Sequence, residues 1–173
     1  MAAETLTATR GNKNFPGPAT PSLAGTVMCA YGTYAIAAAV EDGDIFEMCW
    51  VPAGAVLLGG YFYGADLDTG TETLDMDIGW AANGGSGTYD AADPDGLGNL
   101  GVLTGDAFAA GNLSPVAGLI YPFSGIFATG VLPSFTKKTL LQIEANAAGN
   151  AGHTGSVSLV VFYTIDASII VGN

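Results

Sequence analysis

Apolar and polar residues alternate along several short segments of the chain, and this alternation predicts β-strands. The clearest case is residues 73–80, in which every second side chain is large and apolar: Thr73-Leu74-Asp75-Met76-Asp77-Ile78-Gly79-Trp80. A period of two places all four apolar side chains on one face of a strand, whereas a helix would scatter them around its circumference. The segment therefore predicts a strand with one buried face and one wet, acidic face.

Other strand-like segments share this short length and are separated by clusters of Gly, Asp, Asn and Pro. They are residues 27–37, 45–51, 55–65, 119–127, 138–145 and 156–170. The last is rich in β-branched and aromatic residues and predicts a strand buried on both faces, whereas residues 83–101 predict a long acidic loop. Because no amphipathic helix of useful length intervenes, the pattern predicts an all-β fold, a sandwich or a barrel.

Residues 1–26 differ from the remainder, and we expect an extended N-terminal arm followed by a β-sandwich domain over residues 27–173. The arm contains three prolines between positions 16 and 21, which discourage both helix and central strand. It also contains Arg10 and Lys13, half of the four basic residues of the chain. Two interpretations remain open: a disordered terminus, or an arm that binds an acidic neighbour through Arg10 and Lys13 with Phe15 as an anchor.

The composition excludes two classes of partner and points to a third. A net charge of −12 and four basic residues in 173 oppose binding to nucleic acid or to an anionic membrane surface. Charged residues make up 12% of the chain, about half of the usual share. A surface with so little charge suits a protein that other subunits cover.

Localisation follows from what the sequence lacks. No apolar run approaches the roughly 18 residues that span a bilayer, and the N-terminus does not resemble a signal peptide. We therefore expect synthesis and first folding in a cytoplasm, where thiols stay reduced. Cys29 and Cys49 are expected to be small buried hydrophobic residues, with their pairing left open.

Catalytic residues are scarce, so we expect no enzymatic activity and no cofactor. The single histidine, His153, lies in a Gly-rich loop without an adjacent acid, whereas a catalytic histidine needs a positioned partner. No nucleophile elbow, phosphate-binding loop or dinucleotide fingerprint is present.

An acidic loop is the best candidate for an ion site. Asp90, Asp93 and Asp95 stand on one short loop, and oxygen ligands of this kind suit a structural Ca²⁺. Their spacing departs from that of an EF-hand, and a solvated face with Asx-type turns is the alternative interpretation. A Ca²⁺ titration of thermal stability distinguishes the two.

Several segments resemble a family of small tailed-phage capsid decoration, or cement, proteins. The similar segments occur in this order along the chain: Arg10-Gly11-Asn12, Glu41-Asp42-Gly43-Asp44-Ile45-Phe46-Glu47-Met48, Val51-Pro52-Ala53-Gly54-Ala55, Asp66-Leu67-Asp68-Thr69-Gly70, Leu74-Asp75-Met76-Asp77-Ile78-Gly79 and Leu159-Val160-Val161-Phe162-Tyr163. The resemblance implies a jelly-roll-like β-sandwich on the outer capsid surface. It also implies a homo-oligomer, commonly a trimer, that bridges major capsid protein subunits.

These observations lead to one main hypothesis and two alternatives. The main hypothesis is a structural virion protein that decorates and stabilises a tailed-phage capsid. The first alternative is a tail-associated or fibre-associated virion protein. The second is a Ca²⁺-dependent carbohydrate-binding module, which requires exposed aromatic residues beside the acidic loop, where Tyr89 is the obvious candidate.

Overall fold

The fold is built from two β-sheets packed face to face. The computed structural model describes residues 5–7, 26–65, 67–68, 73–102, 119–122, 132–150 and 154–170. Within these residues the strands are β1 (Thr5–Thr7), β2 (Met28–Ile36), β3 (Ile45–Val51), β4 (Ala55–Gly64), β5 (Asp75–Trp80), β6 (Asp93–Val102), β7 (Leu119–Pro122), β8 (Thr139–Ala147) and β9 (Gly155–Ile165). The one helical element among them is a 3₁₀ turn at Ala167–Ile169.

The strand order shows how the chain alternates between the sheets. The five-stranded sheet has the order β1, β3, β8, β5, β6, and the four-stranded sheet has the order β2, β9, β4, β7. All neighbours pair antiparallel except β1, which pairs parallel with β3. From β2 onward each strand lies in the opposite sheet from the one before it, except that β6 follows β5 within one sheet.

The core fills the space between the sheets. Its largest fully buried side chains come from both sheets and from the connections: Trp80, Phe46, Phe62, Phe135, Met48, Leu57, Leu67, Leu74, Met76, Ile78 and Leu97. Trp80 packs edge-on against Phe135, with ring centroids 5.3 Å apart. Because burying one such side chain stabilises the fold by roughly 1.5–3 kcal/mol, this cluster holds the sheets together.

The prediction of an all-β sandwich is confirmed, and several strands match closely. Strand β3 covers the predicted residues 45–51, and β5 begins two residues into the predicted segment 73–80. Strand β4 contains a bulge between Leu57 and Gly59, where glycine is a common residue. Pro122 is the last residue of β7, which lies at the edge of the four-stranded sheet, the usual place for proline in a sheet.

Two predictions about single segments are wrong. Residues 83–101 were expected to form a loop, but Asp93–Val102 is strand β6; its glycines lack the large apolar side chains that signal a strand. The segment 156–170 was expected to be buried on both faces, but along β9 buried residues alternate with half-buried ones. One face of β9 therefore points out of the sandwich.

The N-terminal segment contributes one element to the described structure. Thr5–Thr7 forms β1, with Thr5 opposite Ile45, Leu6 opposite Phe46 and Thr7 opposite Glu47. Residues 8–25, and with them most of the predicted arm, lie outside the described residues. The division into an arm and a sandwich domain stays a prediction.

In the part of the chain that the structure describes, no helix has the length and apolar character needed to cross a bilayer.

Candidate interaction surface

The outer faces of the two sheets differ in chemistry. On the four-stranded sheet, the outward side chains of β2, β4 and β9 carry no charge; we call this set the uncharged face. Its described members are Cys29, Tyr31, Thr33, Ala35, Val56, Tyr61, Tyr63, Ser156, Ser158, Val160, Phe162 and Thr164.

Aromatic residues lie at the centre of the uncharged face. Tyr31 and Tyr61 are the register partners of Val160 on either side of β9, and their side chains are 45% and 48% exposed. Tyr61 also packs edge-on against Phe162, with ring centroids 5.9 Å apart. Beside them, the hydroxyls of Thr33 and Ser158 form a 2.9 Å hydrogen bond across the strands. Aromatic residues arranged in this way are typical anchors of protein interfaces.

The outer face of the five-stranded sheet is acidic. Its outward side chains on β3, β5, β6 and β8 include Glu47, Asp75, Asp77, Asn99, Gln142, Glu144 and Asn146, and we call this set the acidic face. The β5 residue Asp77 is the register partner of Glu144 on one side and of Asn99 on the other. The two sides of the sandwich therefore offer different surfaces to a neighbour.

Asp77 is the most perturbed carboxyl group of the acidic face. The pKa of Asp77 is raised to about 6, first by burial, then by the nearby charge of Asp75, with smaller contributions from Asp95 and Glu144. The side-chain amide of Asn146 donates a hydrogen bond to Asp77 Oδ2, and this bond lowers the pKa of Asp77. The other carboxylate oxygen, Oδ1, is buried without a hydrogen-bond partner.

Asp90, predicted as a metal ligand, organises the loop around it. Its carboxylate accepts hydrogen bonds from Asn83 Nδ2 at 2.7 Å, from the Gly87 backbone N–H at 2.6 Å and from Thr136 Oγ1 at 2.5 Å. A fourth bond, at 3.1 Å, comes from the Thr136 backbone N–H. Burial alone would raise the pKa of Asp90, but these hydrogen bonds outweigh it and lower the pKa.

The other two predicted ligands lie at the start of β6. Asp93 and Asp95 interact with each other, and the pKa of Asp93 is raised by burial and by its hydrogen bond and charge repulsion with Asp95. Within the described residues, no three His, Cys, Asp or Glu side chains form a group that could hold a metal ion. The cation at Asp90, Asp93 and Asp95 stays a prediction.

The remaining candidates divide into described and undescribed residues. Arg10, Lys13, Phe15 and His153 lie outside the described residues, so their predicted roles stay predictions. Cys29 and Cys49 do not form a disulfide. Cys49 is buried as expected, but the expectation for Cys29 is wrong because it lies on the outward side of β2 and is exposed.

Tyr89 is half-buried and packs edge-on against Trp80, with ring centroids 6.0 Å apart. This position does not offer the open aromatic surface that a carbohydrate-binding module needs beside the acidic loop.

Sequence analysis did not identify the uncharged face, although a signal for it was present. The run Val157–Ile165 is apolar at its inward positions and also at two outward ones, Val160 and Phe162. A sandwich strand needs apolar side chains at alternate positions only. The additional Val160 and Phe162 therefore distinguish this face from the polar outer face of an ordinary sandwich strand.

Comparisons with known proteins agree with the observed architecture. No protein family model matches the sequence, and no curated protein matches it. Among solved structures, a chain from the capsid of Ralstonia phage GP4 aligns with a TM-score of 0.65 and 18% identity, over 94% of this chain and 99% of that chain. A chain from the capsid asymmetric unit of cyanophage Pam1 aligns with a TM-score of 0.56 and 22% identity, over 90% and 95%. At these identities the likeness establishes a shared fold.

Proposed function

We propose that this chain is a structural virion protein that decorates a tailed-phage capsid and bridges its major capsid protein subunits, without catalysing a reaction. Two chains that share its fold over nearly their whole length come from phage capsids. The segments that resemble decoration proteins run through β3, β4, β5 and β9. A protein that acts by binding its neighbours needs surfaces suited to contact, and this fold has two of contrasting chemistry, the uncharged face and the acidic face.

The observation that carries the proposal is the uncharged face. The chain has 16 acidic residues and four basic ones, yet the described outward residues of β2, β4 and β9 include none of them. Exposed tyrosines at the centre of such a face bury a large area on binding without desolvating a charge. The uncharged face therefore suits lasting contact with protein.

The proposal extends to assembly and location. We place the protein on the outer capsid surface as a homo-oligomer, with a trimer as the expected form, together with the major capsid protein. The strand orders β2, β9, β4, β7 and β3, β8, β5, β6 have the alternation between sheets that a jelly roll requires, and we assign the sandwich to that type.

The test adds one negative charge to each face of the sandwich. In Tyr61→Asp the charge enters the uncharged face at a 48% exposed position, and in the control Asn99→Asp it enters the acidic face at an exposed position. Each variant is mixed with capsids that lack the protein, and bound protein is measured by co-sedimentation. We expect Tyr61→Asp to weaken binding by about tenfold or more and Asn99→Asp to bind as the unchanged chain does.

Equal binding by the two variants would show that the uncharged face does not contact the capsid. Failure of the unchanged chain to bind capsids would contradict the proposed function itself. The number of copies per particle separates decoration from the tail or fibre alternative. Decoration requires hundreds of copies, whereas a tail tip holds a few.

A further inference from the structure

The edge of the five-stranded sheet carries a short strand from the N-terminal segment. Strand β1 has three residues, and its one neighbour is β3, with which it pairs in parallel. Parallel pairing is slightly less stable per residue than antiparallel pairing, and a strand this short forms few backbone hydrogen bonds. Strand β1 is therefore held by a small number of contacts that can separate and reform.

The side chain of Leu6 adds an apolar contact to this pairing. Leu6 packs, partly buried, against the core and lines a cavity of about 320 Å³ beside the end of β2. Tyr34, Ile36 and Val40 are among the other lining residues. We call this cavity, together with the β3 edge at Ile45–Glu47, the β1 site.

The fit of the segment to the β1 site rests on two contacts: its backbone pairing with Ile45–Glu47 and the apolar contact of Leu6.

The connection between β1 and β2 is long enough to reach another molecule. Twenty residues separate Thr7 from Met28, and an extended chain of this length spans up to about 65–70 Å. A domain of this size has a radius of gyration of about 16 Å, so its width is roughly 40 Å. The N-terminal segment of one copy can therefore reach the β1 site of an adjacent copy.

We propose that the β1 site receives the N-terminal segment of a second copy, so that neighbouring copies exchange their β1 strands. The exchanged strand is chemically identical to the one that fills the site within a single chain, so pairing with β3 and the Leu6 contact are reproduced unchanged. The geometry is that of strand addition to a sheet edge, and exchange of identical elements is a low-cost route to oligomers. The exchange joins copies without using the uncharged face, and it stands independently of the capsid role.

The test is a cysteine trap on the full-length chain. One preparation carries Cys29→Ser with Thr5→Cys, and the other carries Cys29→Ser with Ile45→Cys. Thr5 and Ile45 are register partners in β1 and β3, and Thr5 is exposed, so a disulfide can join the new cysteines. After mixing, warming and mild oxidation, we expect a disulfide-linked dimer on a non-reducing gel.

The control replaces the second preparation by Cys29→Ser with Asn99→Cys, an exposed position on β6. We expect severalfold less linked dimer from this mixture than from the Thr5→Cys and Ile45→Cys mixture. Equal amounts would show non-specific collision and overturn the proposal.

A single chain that carries Thr5→Cys and Ile45→Cys together completes the test. If this chain forms a disulfide within itself and the mixture of the two preparations forms none between chains, the β1 site accepts only the segment of its own chain. That result would overturn the exchange. Absence of cross-linking in both samples would overturn the pairing itself. No capsid enters the experiment, so its failure and the failure of the proposed function are distinguishable.

Discussion

Asp77 shows how a residue that fits its strand can still cost stability. The alternation of β5 directs its side chain to the acidic face, where it is 4% exposed and near three other carboxylates. Burial and repulsion disfavour its charged form, which is why its pKa rises from 3.8 to about 6. At neutral pH the folded chain must hold this carboxylate ionised in an unfavourable place.

We predict that Asp77→Asn stabilises the protein at neutral pH. A carboxyl group whose pKa is raised in the folded state binds more protons there than in the unfolded state between pH 3.8 and about 6. Its contribution to the free energy of unfolding therefore falls as pH rises through that window. The variant should match the unchanged chain near pH 4 and exceed it by about 1–3 kcal/mol above pH 7.

Urea denaturation at a series of pH values measures this difference. The control is Asp42→Asn at an exposed turn position, for which we expect no comparable pH-dependent gain. A gain for Asp77→Asn that is the same at pH 4 and pH 7.5 would contradict the electrostatic explanation.

At the same scale, local sequence does not reveal the hydrogen-bond partners of the loop carboxylates. Asp90 stood out as a carboxylate on a tight loop, yet its partner Thr136 lies 46 residues away along the chain. Asp68 accepts hydrogen bonds from the backbone of nearby Thr73 and Leu74. Its third backbone donor, Asn150, is 82 residues distant. Local spacing cannot reveal contacts that the fold brings together.

At the scale of elements, the two sheets approach closely where β2 passes β3. A Cβ atom added to Gly32 would lie 2.1 Å from the backbone carbonyl oxygen of Met48, well inside contact distance. Glycine at this point of β2 allows the sheets to meet without displacing the β3 backbone.

We predict that Gly32→Ala destabilises the fold by about 1–3 kcal/mol or more, because a backbone atom must move to admit the methyl group. Urea denaturation measures the change, and Thr33→Ala, at the exposed neighbouring position, is the control with an expected loss of about 1 kcal/mol or less. An equal loss in the two variants would contradict the close approach.

Strands were predictable where side chains alternate and unpredictable where glycine replaces them. Strand β5 shows clear alternation and was identified, and so was β3 with its large apolar residues. Along β3, however, a bulge between Glu47 and Cys49 interrupts the simple two-face assignment. Strand β6 contains Gly96, Gly98 and Gly101, and it exists because β5 offers an edge to pair with.

At the scale of the whole molecule, charge is distributed unevenly between the surfaces. The net charge is −12, the acidic face holds several carboxylates, and the uncharged face holds none among its described members. Two copies therefore repel each other at long range, but no like charges are brought together when their uncharged faces touch.

We predict that self-association strengthens as salt concentration rises. Salt screens the repulsion between acidic bodies and leaves apolar contact intact, whereas association through ion pairs would weaken. Sedimentation velocity at 50 and 500 mM NaCl measures the shift, for which we expect an increase of severalfold in the association constant.

The matched variant for this measurement carries both Arg10→Gln and Lys13→Gln. Ion pairs made by these two cations would weaken as salt rises, and so would oppose the expected increase in association. Its salt dependence should be steeper than that of the unchanged chain. A decrease in association with salt for both proteins would contradict an uncharged contact.

The central position of β9 in its sheet has a consequence for the timing of assembly. Strand β9 lies between β2 and β4, yet the ribosome makes it after both of them. Until it emerges, Tyr31 and Tyr61 have no shared strand to align them, and Val160 and Phe162 have not been synthesised. A nascent molecule therefore lacks the complete uncharged face, and any contact made through that face is deferred until its own folding is complete.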